Sequence, residues 1–241
     1  MPDISTSIAP IVTADRELLA LRAEIDALDD ALHDLLMRRV DVVARLAASR
    51  AKGDGPALRP GREAAILRRL LARHRGPLPR EGLVRLWREL LAATTALQAP
   101  MTVSAWLPEE GIEVLRAHLG LAAPVTRCGS AEEALAAGTA LVALPPAGRW
   151  WLDPIPARLH VTARLPFLGI GPTVLLLSPA PPDASGDDRS LLRMPPAAVP
   201  PGATELARAG DFALVELAGE VPSGATVLGA YPAPVTPQVT P

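Results

Sequence analysis

Three polar side chains in this sequence stand on faces that are otherwise apolar. From Leu18 the apolar residues fall at Leu18, Leu21, Ile25, Leu28, Leu32 and Leu35, then Val42 and Leu46; the seam position after Leu35 is Arg39. A guanidinium on an apolar stripe is costly to desolvate unless an anion or an acidic side chain meets it. Thr94 and Gln98 lie one helical turn apart on the apolar side of a later helical pattern. Each has a plain structural reading: Arg39 in an ion pair that sets register, Thr94 and Gln98 satisfying buried backbone or each other. Together they also supply donors to one interior, and arginine forks suit carboxylates. The chemistry open to such a set is the holding of a small anion between helices.

Bulk properties narrow the partners. The 241 residues are 49% hydrophobic, enough for a packed core. Residues 16–98 hold 16 basic and 11 acidic side chains, a local excess of +5 inside a chain of net charge −2. That excess is modest and lacks an aromatic platform, so nucleic acid is not an expected partner. The single Cys128 excludes an internal disulfide. His33 and His74 sit on helix surfaces without a second ligand at metal spacing, so neither a metal nor another cofactor is expected. The opening "MPDISTSIAPIVTADRE" has no signal-peptide pattern, and no run approaches the ~20 apolar residues of a membrane span. The expectation is a cytoplasmic protein with no membrane contact.

The elements that must position these residues are helices. No Gly or Pro interrupts Arg16–Lys52, which predicts one helix of roughly 35 residues, about 50 Å long. Its seam, sustained for about four heptads, wants a partner chain. "GDGPALRPG" ends it, and Pro60 suits the first position of a second helix reaching Arg73. The apolar face of that helix reads as Ile66, Leu67, Leu70 and Leu71. After "RGPLP" a third helix, about Arg80 to Gln98, carries Leu83, Leu86, Trp87, Leu90, Leu91 and Leu97 on its apolar side.

In order, "LLALRAEIDALDDALHDLLMRRVDVV", "RPGREAAILRRLL" and "LVRLWRELLAATTALQ" resemble the all-helical chorismate mutase domain, with one short length change in the second connection. The resemblance implies an intertwined homodimer of three-helix chains that rearranges chorismate to prephenate, a step toward phenylalanine and tyrosine. By position it implies that Arg22 reaches across to hold a substrate carboxylate in the partner's site. Arg39 would clamp a carboxylate within its own chain. Glu63 would accept the ring hydroxyl's hydrogen bond, with Arg62 beside it. Thr94 stands where the family has a serine near a carboxylate, and Gln98 would donate to the ether oxygen. Such a pericyclic reaction needs positioning and charge stabilisation rather than a nucleophile or metal. The same helical fold can instead cleave isochorismate to salicylate and pyruvate, and a non-catalytic dimerisation or regulatory module is a further alternative.

The family's second donor at the ether oxygen is a lysine eleven residues after the clamping arginine. Here Lys52 is the only lysine and the eleventh residue is Arg50. Eleven residues are close to three turns, so Arg50 shares the face of Arg39 while Lys52 points elsewhere. Arg50 therefore inherits the position, with a longer and planar head group. Arg59 is a second departure, standing where the family often has an aspartate.

After Pro100 the pattern changes. "TVSAW", "TALVAL", "HVTARL", "TVLLL", "FALVEL" and "ATVLG" read as strands; "EEGIEVLRAHLG" and "SAEEALAAG" read as helices, the latter with a Ser130…Glu133 capping box. A small α/β unit near 101–145 followed by an α+β region is expected. "AAGTALVALPP", "VTARLPF", "PPDASGDDRSLL", "PPGATELA" and "LGAYP" resemble a degenerate prephenate dehydratase with its trailing regulatory ACT module. Ala163 stands at that family's motif threonine, Thr162 is out of register, and the acidic-serine motif of an amino-acid-sensing module is missing, so dehydratase activity is expected to be absent. Packing of Trp150-Trp151 and a turn with solvated acids at "SGDD" complete the reading. The expected organisation is a flexible 1–14, a helical mutase domain at 15–99, a degenerate dehydratase-like domain at 101–234 and a flexible tail at 235–241.

Overall fold

The computed structural model of the chain describes residues 9–49 and 57–235, with side chains from residue 15. Arg50 and Lys52 lie outside the described residues, as do residues 1–8 and 236–241 of the expected flexible ends. The chain divides into two compact units, Met1–Gly53 and Asp54–Pro241.

Among the described residues, the first unit is one helix. α1 spans Ala9–Ala48, 40 residues, and so begins earlier than the expected Arg16. Leu18, Leu21, Ile25, Leu28, Leu32, Leu35, Val42 and Leu46 form its apolar seam, and every one is exposed, from 47% at Leu18 to 63% at Leu35. Despite its length, no described helix is apolar enough to cross a membrane.

In the second unit, helices α2 (Pro60–Arg73) and α3 (Arg80–Ala96) come first. Pro60 stands at the first turn of α2, where its missing N–H costs nothing and its fixed φ favours the helix. The expected face of α2 is only half right. Leu67 and Leu71 are buried, but they are joined by Pro60, Gly61, Glu63 and Ala64, with Ile66 and Leu70 only partly covered. The buried face of α3 is Val84, Arg88, Leu91, Ala92, Thr94 and Thr95, whereas Leu86 and Leu97 are 61% and 74% exposed. Packing decides this rotation. α3 meets α4 (Glu109–Leu119), and Ala92 joins Leu115 and Leu119 of α4 in one core cluster while Val84 packs with Phe167 in another.

Residues 101–235 build one nine-stranded sheet. Its strands are β1 (Val103–Ala105), β2 (Val125–Arg127), β3 (Leu141–Leu144), β4 (His160–Leu165), β5 (Val174–Ser178), β6 (Asp188–Met194), β7 (Thr204–Ala209), β8 (Phe212–Leu217) and β9 (Thr226–Pro232). Their order is β2-β1-β3-β5-β4-β9-β6-β8-β7. β1 is parallel to β2 and β3, connected through α4 (Glu109–Leu119) and α5 (Ala131–Ala136). The remaining pairs are antiparallel except β4 with β9. The expected α/β and α+β parts thus share a single sheet. β2, β6 and β7 are strands that the sequence patterns did not reveal.

Alternation along the strands separates two cores. Ala143, Val174 and Leu176 face α4 with Ile112 and Leu115, while Val142, Leu144, Leu175 and Leu177 face α5 and the two tryptophans. Trp150 and Trp151 are buried, and their indole N–H groups donate to the Pro145 and Pro146 carbonyls at 2.8 and 3.0 Å. Glu133 N–H donates to Ser130 Oγ at 3.1 Å, the near half of the expected capping box. β4 carries a register shift between Val161 and Ala163, which puts the irregularity at Thr162. β9 approaches β4 so closely at Gly229 that a Cβ there would collide with the Val161 carbonyl.

Candidate functional site

Of the residues assigned by resemblance, Arg22 and Arg39 belong to α1 in the first unit; Arg62, Glu63, Thr94 and Gln98 belong to the second. Arg22 is exposed, and Arg39 stands in the seam between Leu35 and Val42.

Glu63 lies in the first turn of α2, where a carboxylate complements the helix dipole. It is 7% exposed and accepts a hydrogen bond from Arg88 Nη1 at 2.7 Å. Arg88 is buried as well, with its guanidinium 5.2 Å from the Phe167 ring centroid, within cation–π range. Burial pushes the Glu63 carboxyl up and the Arg88 charge opposes it; the guanidinium is likewise pulled down by burial and held up by Glu63. Arginine keeps its proton in proteins, and its charge at 2.7 Å favours the ionised carboxylate of Glu63 against the effect of burial. His118 of α4 is buried beside the pair, and burial, with Arg88 adding, holds its imidazole well below its ordinary range. It is neutral at pH 7.

Thr94 is buried, and its hydroxyl donates to the carbonyls of Leu90 and Leu91 at 2.8 and 3.0 Å, the back-bonding that Thr makes inside helices. Gln98 follows the end of α3, and its Nε2 donates to the Thr94 carbonyl at 3.0 Å. The side-chain amide thus takes up a carbonyl that the ending helix leaves open. Arg62 is exposed and projects from the first turn of α2. Arg59 is the N-cap residue, and its Nε meets Asp183 Oδ2 at 3.0 Å.

Two groups escaped the sequence reading. Arg88 had a signal, since it sits one turn from Val84 and from Ala92 on one stripe, as Arg39 does in α1. The second had none. A cavity of about 590 Å³ is lined by Arg164, Arg189, Glu216 and the glycines Gly169, Gly171 and Gly202, among others. Glu216 accepts from Tyr231 Oη at 3.0 Å and lies 3.3 Å from Arg164 Nε. Burial and Glu216 push the Tyr231 phenol well up, so it stays a donor. None of the residues assigned by resemblance lines this cavity.

Residues 21–99 match the family model described as chorismate mutase type II. A bifunctional chorismate mutase/prephenate dehydratase from Neisseria gonorrhoeae is 35% identical over 124 residues, which is 50% of this chain and 33% of that protein. One of the same description from Pseudomonas aeruginosa is 37% identical over 100 residues, 39% of this chain and 27% of that one. A 4-amino-4-deoxychorismate mutase from Streptomyces venezuelae is 40% identical over 55 residues, 23% of this chain and 53% of that one. The chain spans about a third or less of the two bifunctional relatives. The family match, chorismate mutase type II, thus belongs to residues 21–99 and ends just before β1 begins at Val103.

Proposed function

We propose that residues 15–99 form a chorismate mutase domain that works as a homodimer and rearranges chorismate to prephenate in phenylalanine and tyrosine biosynthesis in the cytoplasm. The observation that carries this reading is the family match over residues 21–99; by resemblance, Arg39, Glu63 and Gln98 would take functional positions within it. The exposed seam of α1 supports the homodimer, because eight large apolar side chains on one stripe need a cover.

In this reading Arg39 and the partner chain's copy of Arg22 hold the two carboxylates and keep the substrate compact, which removes the entropic part of the barrier. Thr94 stands near one carboxylate. Arg50 and Gln98 face the ether oxygen, where negative charge grows as the C–O bond breaks, and preorganised donors there lower the barrier. Glu63, flanked by Arg62, takes the ring hydroxyl. Glu63 is engaged by Arg88 at 2.7 Å, so it meets the hydroxyl by sharing its carboxylate between the two. No proton changes hands in the rearrangement.

The deciding experiment incubates the full chain with chorismate, with 4-amino-4-deoxychorismate and with isochorismate, each separately, and identifies the product. Prephenate from chorismate supports the proposal; turnover of only the amino compound would move the substrate, and salicylate with pyruvate from isochorismate would replace the reaction.

A further inference from the structure

α2 starts without a cap of its own. Its N-cap residue is Arg59, whose side chain caps nothing, and Pro60 has no N–H. Glu63 N–H closes the first helical bond to the Arg59 carbonyl at 2.9 Å, which leaves the N–H groups of Gly61 and Arg62 without helical partners. A residue far along the chain takes both. Asp183, in the β5–β6 loop, accepts Gly61 N–H on Oδ1 at 2.8 Å and Arg62 N–H on Oδ2 at 3.3 Å. Its Oδ2 also accepts Arg59 Nε at 3.0 Å. The approach depends on glycine, because a Cβ at Gly61 would collide with the Asp183 carbonyl oxygen. Further along α2 the same loop is gripped again. Arg68 donates through Nη1 to Ser185 Oγ at 2.8 Å, and through Nη2 to the Asp187 and Ala233 carbonyls, each at 2.8 Å.

We propose that Asp183 is a positioning residue for the mutase site. By capping α2 from the C-terminal region it sets where the first turn holds Arg62 and Glu63. The inference rests on the chorismate mutase reading above, since only there do Arg62 and Glu63 touch substrate. The physical route is short. One of the capped N–H groups belongs to Arg62 itself and Glu63 is the next residue, so an uncapped turn frays at the two positions the site uses. A carboxylate is suited to the task, because it bonds two N–H groups at once and answers the positive end of the helix dipole.

The test uses the full chain as Asp183→Ala, Asp183→Asn and Arg59→Ala, with kcat and KM for chorismate, amide hydrogen exchange along α2, and thermal unfolding to verify that each variant is folded. Asp183→Ala is expected to lower kcat about tenfold or more, since small displacements in a positioned site are expensive, and to speed exchange at Gly61 and Arg62. Asp183→Asn keeps one oxygen acceptor and turns its NH2 toward the other N–H, so it should recover only part of both, while Arg59→Ala leaves both near wild type. Unchanged kcat in a folded Asp183→Ala, or a loss of kcat without faster exchange at Gly61 and Arg62, overturns the proposal. Wild-type protein inert toward chorismate overturns the mutase reading instead and removes the positioning role with it.

Discussion

At the scale of single residues, one buried ion pair bears on stability and one proposed donor bears on activity. Arg88 and Glu63 share a buried bond of 2.7 Å. Removing one partner of such a pair leaves the other charge buried and uncompensated, which costs about 3–5 kcal/mol. Arg88→Leu should therefore lower stability by about that amount, whereas Glu63→Leu with Arg88→Leu should recover much of it; chemical denaturation of both single variants and the double variant measures the coupling. Arg50 belongs to the proposed chemistry instead. Arg50→Ala should cut kcat/KM for chorismate by ~100-fold or more, the typical loss for one donor at a developing oxyanion. Arg50→Lys should retain or improve activity by restoring a compact ammonium, and Lys52→Ala should change little. Equal damage from Lys52→Ala and Arg50→Ala would defeat the face assignment.

At the scale of elements, α1 and α4 make separate demands. The seam of α1 is exposed along its length, so Leu28→Glu with Leu32→Glu removes apolar cover from a helix that already meets water. The proposed dimer should fall apart while the second unit stays folded; sedimentation showing an unchanged dimer would remove the seam from the interface. On α4, His118 is buried with Arg88 as its charged neighbour, and its imidazole is held well below its unfolded value. A depressed folded value means that the unfolded chain binds the proton first. The stability due to neutral His118 is thus fully present above about pH 6.5 and is lost as pH falls below it. His118→Gln should flatten that part of a thermal-midpoint profile between about pH 7 and pH 5. A wild-type profile that is already flat there would rule the histidine out as its cause.

At the scale of the whole molecule, compactness and family resemblance divide the chain in different places. The family match runs over residues 21–99, yet α2 and α3 share a compact unit with the sheet. Leu67, Leu71 and Val84 form one cluster with Phe167, and Leu58 and Ala92 join Met101, Leu115 and Leu119 in another. A chain cut after residue 99 takes these partners away from Leu58, Leu67, Leu71 and Val84, and burial of each such side chain is worth about 1.5–3 kcal/mol when complete. Such a fragment should melt lower than the full chain in matched buffer, and an equal midpoint would show that the sheet adds nothing. The sheet also carries Ala163, buried in β4, which by the sequence resemblance would stand at the dehydratase threonine. Prephenate should gain no phenylpyruvate above its spontaneous rate; a clear excess would contradict that reading of Ala163.

Local chemistry was enough to read several features from the sequence. A seam of period 3.5 shows as the long helix, Pro60 marks where α2 starts, and Ser130 with Glu133 marks α5, since each signal acts within a few residues of itself. The resemblance behind Arg22, Arg39, Glu63, Thr94 and Gln98 is also carried by residue order and spacing alone. Other features depended on neighbours that sequence does not name. Leu86 and Leu97 look apolar and remain exposed, while Arg88 is buried, because the covered face of α3 is the one that meets α4 and Phe167. β6 hid behind "SGDD", where Asp188, read as a solvated acid, accepts bonds from the N–H and hydroxyl of Ser185. The cap of α2 lies beyond any local pattern: Asp183 stands 122 residues from Gly61, and only the path of the chain through five strands brings a carboxylate to two N–H groups that their own helix cannot satisfy.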